Sequence, residues 1–86
     1  MNYQIDPHTL ERADERGATR QEIIDVIETG NAVAAKYGRL AKSKVFAFQQ
    51  ERLGKYYEQK RVEVIYTIEN ETAVTITVYV FYGKWE

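Results

Sequence analysis

The chain reads as a two-layer α+β domain: two N-terminal helices packed on one three- to four-stranded antiparallel sheet, in the order α-α-β-β-β-β. Three observations lead there. Two short segments near the start carry helix start and stop signals. After Gly30 the spacing of apolar residues changes from helical to alternating. The last two alternating runs are separated only by Glu69-Asn70-Glu71, the length of a hairpin connection.

Asp6 followed by Pro7 is a helix start, and Gly17 is a stop, so the first helix is expected over Pro7–Arg16. Its apolar face is thin, with Leu10 and Ala13, which places it on the surface. The second helix is expected over Arg20–Thr29, with Thr19 and Glu22 at capping-box spacing and Gly30 as its end. Ile23, Ile24, Val26 and Ile27 form its buried stripe, with Asp25 and Glu28 towards water. A short strand follows over 31–37, then a turn at Gly38-Arg39. A strand over 44–50 sets Phe46 and Phe48 against Val45 and Ala47, and Leu53-Gly54-Lys55 is a loop. In the final pair, Val62, Val64, Tyr66 and Ile68 share one face, and so do Val74, Ile76, Val78 and Val80. Helix two is the expected cover for these faces. The opposite face carries Glu63, Ile65 and Thr67 beside Thr75, Thr77, Tyr79 and Phe81, polar at one end and aromatic at the other.

With 86 residues, 44% of them hydrophobic and 29% charged, the chain holds one domain, 1–86, with an ordinary globular balance. It has no cysteine, which excludes disulfides, thiol catalysis and cysteine-containing zinc motifs. No basic-then-apolar N-terminal pattern marks a secretory signal, and the longest apolar run, 78–82, is too short for a membrane span. The expectation is a cytoplasmic, bacterial-type protein that uses no membrane.

Net charge is −1, which argues against a general nucleic-acid binder. The charge is uneven, however. Arg39, Lys42, Lys44, Arg52, Lys55, Lys60 and Arg61 are opposed over that stretch only by Glu51 and Glu58, leaving a local +5. This segment reads either as solvated hairpin charge or as a contact surface.

The only histidine, His8, is followed at four-residue steps by Arg12 and Arg16, so the three line one side of the first helix. An imidazole beside two guanidinium groups is suited to a phosphate. No metal-ligand spacing, Gly-rich phosphate loop or nucleophile elbow is present, and no cofactor is expected.

The run from His8 through Glu15-Arg16-Gly17 resembles the opening of the domain-of-unknown-function family 4258. Thr19-Arg20-Gln21-Glu22-Ile23-Ile24 and Glu28-Thr29-Gly30 continue the pattern. Val62-Glu63-Val64-Ile65-Tyr66, Thr75-Ile76-Thr77-Val78-Tyr79 and Tyr82-Gly83-Lys84-Trp85 resemble its ending. The resemblance covers nearly the whole chain. It implies the compact fold of the barnase, colicin and RelE-type ribonuclease toxins, and with it metal-free RNA cleavage by one member of a toxin–antitoxin pair. The chain departs from those toxins in being slightly acidic.

Metal-free RNA cleavage needs a base, an acid and cations around the phosphate. The candidates for catalysis are His8, Arg12, Arg39, Lys60 and Tyr79; those for substrate binding are Arg16, Lys44 and Tyr57. Each also has a structural reading. His8 packs in a first helical turn, Arg12 pairs with a neighbouring acid, Arg16 complements a helix C-terminus, and Arg39 is a loop charge. The tyrosines are strand residues, and Trp85 caps the core or an edge. The functional expectation is therefore an endoribonuclease toxin with RNA as substrate and an antitoxin as partner. The alternative is a non-catalytic module that binds RNA or another protein. A third reading pairs sheet edges into a dimer through Phe81, Tyr82 and Trp85.

Overall fold

The computed structural model describes residues 1–85. It is α+β, with two helices on one sheet, in the order β1 (Asn2–Gln4), α1 (Pro7–Arg16), α2 (Arg20–Thr29), β2 (Asn31–Val33), β3 (Leu40–Arg52), β4 (Lys55–Glu69) and β5 (Thr72–Gly83). The sheet has five strands in the order β1-β5-β4-β3-β2. It is mixed, because β1 runs parallel to β5 while every other pairing is antiparallel. The expected three- to four-stranded, purely antiparallel sheet and the helix-first order are therefore corrected. Three residues at the N-terminus add an edge strand before the helices. Between β2 and β3 the chain is a loop over residues 34–39, so the strand expected over 31–37 ends at Val33.

Both helices form where their end signals lie. Asp6 accepts the backbone N–H of His8 at 2.8 Å, and Pro7 occupies the first turn. Thr19 and Glu22 make the complete capping box. Gly17 ends α1 with φ 92°, a left-handed conformation that costs any residue with a Cβ. Gly30 ends α2 for a different reason. Its backbone is extended, and a Cβ there would meet the carbonyl oxygens of Val26 and Ser43 at 2.4 and 2.8 Å. Gly17→Ala is expected to cost about 2 kcal/mol, because it adds a left-handed alanine whose Cβ would lie 2.2 Å from the Tyr82 hydroxyl. Urea unfolding checks this: the midpoint falls while the slope stays the same.

Helix α2 packs on β3 and β4, and α1 packs on β5. The core is Ile23, Val26 and Ile27 of α2 against Val62, Val64, Tyr66, Ala73 and Val78, closed by Ala13 and Ala18. Asp25 keeps 34% of its side-chain surface exposed and also meets Lys44 of β3 at 2.9 Å. Beneath α1, Thr75 donates to the buried Thr9 hydroxyl at 3.1 Å and accepts from the Asp6 N–H, tying the helix start to β5.

The expected face of Val74, Ile76, Val78 and Val80 is broken by a bulge. Ile65 pairs with Thr77 and Tyr66 with Thr75, leaving Ile76 as the additional residue on β5. Before the bulge, Ala73 and Thr75 point to the helices, and Thr75 leaves the outer face assigned to it. After the bulge, Val78, Val80 and Tyr82 pair with Val64, Val62 and Lys60 on the helix side. Thr77, Tyr79 and Phe81 then occupy the outer face. Ile68 lies across from Ala73 but stays 43% exposed. A second bulge sets Phe48 and Gln49 of β3 opposite Glu58 alone, with Gln49 at φ 51°. At the β4–β5 turn, Asn70 and Glu71 are both left-handed, as a tight hairpin turn requires.

Candidate active site on the open sheet face

Both helices lie on one side of the sheet, and among the described residues no helix covers the other side. Val62 and Val64 face the helices, so Arg61, Glu63 and Ile65 face outward. Their direct partners on β5 are Phe81, Tyr79 and Thr77. Glu63 and Tyr79 are therefore a cross-strand pair, with Cβ atoms about 5 Å apart. Arg61 is 4.0 Å from the Glu63 carboxylate, and its guanidinium lies over the Phe81 ring at 5.0 Å and the Trp85 ring at 5.9 Å.

A second guanidinium reaches the same place from α1. β1 pairs only with Thr72, Ala73 and Val74, so the rest of β5 has an open edge. Arg16 donates to the Val78 carbonyl across that edge at 2.6 Å, and its guanidinium lies over the Tyr79 ring at 5.4 Å. Helical side chains lean towards the helix N-terminus, which lets a residue at the end of α1 reach back along β5. The result is a carboxylate and a phenol side by side, with Arg61 beside one and Arg16 over the other. Among the described residues, no three His, Asp or Glu side chains converge as metal ligands.

Arg16 and Tyr79, two of the residues singled out in the sequence, thus meet, and the others lie elsewhere. His8 is exposed two turns up α1, about 12 Å from Arg16 along the axis. Arg12 pairs with Glu15 at 3.0 Å. Arg39 is exposed in the loop before β3. Tyr57 packs 5.5 Å from Tyr82, with the Lys55 ammonium over its ring. Lys60 is buried on the helix side, donating to the Gly17 carbonyl at 2.8 Å and to Glu22 at 2.9 Å. Lys44 holds Asp25 and the Thr29 hydroxyl. Trp85 lies on the open face, its ring folded over Gly83 towards Arg61. This replaces the core or edge cap expected of it.

Part of the local +5 segment has a structural role besides the two expected of it. Three of its seven basic residues serve the carbonyls that helices leave unpaired at their C-termini. Arg52 donates to the Glu15 carbonyl, Lys60 to that of Gly17 and Lys42 to that of Ile27. The Tyr82 hydroxyl completes the set by donating to the Arg16 carbonyl. Burial pushes this phenol above its ordinary range, against the opposing pull of Arg52, so it stays a donor.

Asp25 lies below the usual carboxylate range, chiefly through the hydrogen bond from Lys44, then that from Thr29. A carboxylate that binds its proton more weakly when folded contributes stability at neutral pH. The contribution is lost as pH falls through the lowered folded value. Asp25→Asn is therefore expected to lose less melting temperature than the parent as pH is taken from 5 to 3.

The sequence matches the family described as "Domain of unknown function (DUF4258)" over residues 5–80, most of the chain. The chain belongs to the DUF4258 family. The match runs from just before α1 almost to the end of β5, so Arg16, Arg61, Glu63 and Tyr79 lie within the DUF4258 region, while Phe81 and Trp85 follow it. No curated protein and no solved structure gives a significant match to this DUF4258 chain. No helix among its described residues is long and apolar enough to cross a membrane.

In the sequence Glu63 looks like the solvent half of an alternating strand, and Arg61 stands out only as one charge of the +5 segment. The usable signal was register. Once β4 and β5 form a hairpin, the charges of Arg61 and Glu63 fall opposite Phe81 and Tyr79.

Proposed function

We propose that this protein is a metal-free endoribonuclease of the toxin type, acting in the bacterial cytoplasm from the open face of its sheet. The observation that carries the reading is the Glu63–Tyr79 cross-strand pair with Arg61 4.0 Å from the carboxylate and Arg16 over the phenol ring. An RNA phosphodiester laid across β4 and β5 meets every group the reaction needs. The Glu63 carboxylate takes the proton of the 2′-hydroxyl as that oxygen bonds to phosphorus. The bond from phosphorus to the 5′-oxygen breaks, and the Tyr79 hydroxyl gives that oxygen a proton. Arg61 and Arg16 hold the non-bridging oxygens, where charge builds in the transition state. The products are a 2′,3′-cyclic phosphate and a free 5′-hydroxyl, and solvent returns the proton from Glu63 to Tyr79. His8, about 12 Å up the helix from Arg16, is placed for a neighbouring phosphate rather than the same one. An antitoxin partner would act by covering this face.

Induction in a bacterial host tests the reading. The parent chain is expected to arrest growth, and the purified protein to cleave RNA in the presence of a chelator. A second reading is a non-catalytic module that binds RNA or a protein, and the net charge of −1 and the basic residues engaged at helix ends favour the protein partner within it. Normal growth with abundant folded protein, and intact RNA, would favour that reading.

A further inference from the structure

We infer that Phe81 and Trp85, with the Arg61 guanidinium over both rings, form a stacking subsite for an unpaired base, so that the RNA taken by this face is single-stranded. The inference rests on RNA being the ligand of the open face, and it names the form of RNA. Phe81 stands directly across from Arg61 and is 42% exposed. The chain after β5 folds back so that the Trp85 ring lies over Gly83, held by a hydrogen bond from the Trp85 N–H to the Gln59 side chain. Two aromatic rings therefore lie on the sheet side that carries no helix. An aromatic ring on such a face stacks any base and discriminates little between them.

Charge indicates a nucleotide rather than an apolar partner. The Arg61 side chain makes no hydrogen bond among the described residues, its Nε is buried without a partner, and its nearest carboxylate oxygen is 4.0 Å away. Its cation is thus available to a phosphate attached to the stacked base, in line with Arg16 further along β5. A duplex cannot use such a subsite. Its base faces are hidden in the stack, and a flat sheet face enters neither the deep groove nor the shallow one far enough to reach them.

Trp85 is the only tryptophan, so its fluorescence reports the subsite directly. The probes are a six-nucleotide 2′-O-methyl RNA, which cannot be cleaved, and the same strand annealed to its complement. The single strand is expected to quench Trp85 and to bind at least tenfold more tightly than the duplex. Phe81→Ala, a change at an exposed position that circular dichroism can show to be folded, is expected to weaken single-strand binding about tenfold or more. Trp85→Phe, followed by anisotropy of labelled RNA, keeps an aromatic ring and retains the preference. Equal affinity for the two probes, or unchanged binding by folded Phe81→Ala, would overturn the subsite. Strong Phe81-dependent binding without any cleavage of ordinary RNA would leave the subsite standing and remove the nuclease reading. Failure of both RNAs to bind would remove the two together.

Discussion

Glu63→Gln is expected to leave the protein folded and to lower RNA cleavage by a factor on the order of 10²–10⁴, the usual contribution of a positioned general base. The substitution keeps the shape of the side chain and its place across from Tyr79, and removes only the capacity to take a proton. Glu63 lies outside the core, 4.0 Å from Arg61 and half-buried on the open face, so its loss disturbs little packing. Growth arrest on induction should disappear in the variant at equal protein level. Cleavage at the parent rate by a folded Glu63→Gln protein would reject Glu63 as the base. The same comparison with His8→Ala separates the two candidates, because His8 is expected to change the rate far less.

Lys60→Ala is expected to lower stability by about 3 kcal/mol, near the low end for breaking a buried ion pair because Glu22 keeps some contact with solvent. Lys60 donates to two acceptors under α1 and α2, the Gly17 carbonyl and the Glu22 carboxylate. Removing it leaves a helix-end carbonyl and a carboxylate without their cation in a place that water reaches poorly. In a domain of this size the melting temperature should fall by roughly 12–24 °C. Thermal unfolding followed by circular dichroism measures this. If Lys60 instead works on substrate, the variant melts with the parent and loses only activity. Replacing Glu22 and Lys60 together by apolar residues should recover part of the loss, since the pair is then absent rather than broken.

The two helices were legible because their determinants are local. Asp6, Pro7, Gly17, Thr19, Glu22 and Gly30 act within a few residues of the ends they define. β1 was not legible, although Asn2-Tyr3-Gln4-Ile5 alternates, because three residues become a strand only through a partner at Thr72, Ala73 and Val74. The bulge at Ile76 leaves no trace in composition, since Val74, Ile76, Val78 and Val80 alternate without a break. That bulge decides which β5 residues share a face with Thr75, so before it the two faces are exchanged: Thr75 lies on the helix side and Val74 on the outer one. The candidate site was half legible. The line of His8, Arg12 and Arg16 is real on α1, and its last member reaches Tyr79. The partners on β4 needed a register that no local pattern supplies. Lys44 and Lys60 carry the right charge for a phosphate, but each has a protein acceptor that only the packing of α2 on the sheet brings near.

The parallel pairing of β1 with β5 also sets a schedule. Synthesis runs from the N-terminus at roughly 5–20 residues per second, so Asn2 waits about 4–14 s for Thr72 to be made. Glu63 waits in the same way for Tyr79, since the two stand together only after the last hairpin has emerged. A nascent chain that has completed both helices but not yet reached Thr72 thus holds an unfinished sheet, and Glu63 has no β5 partner across from it. If the face cleaves RNA, the ribosome that makes the protein meets no competent site on it until Tyr79 has been added and the β4–β5 hairpin has closed.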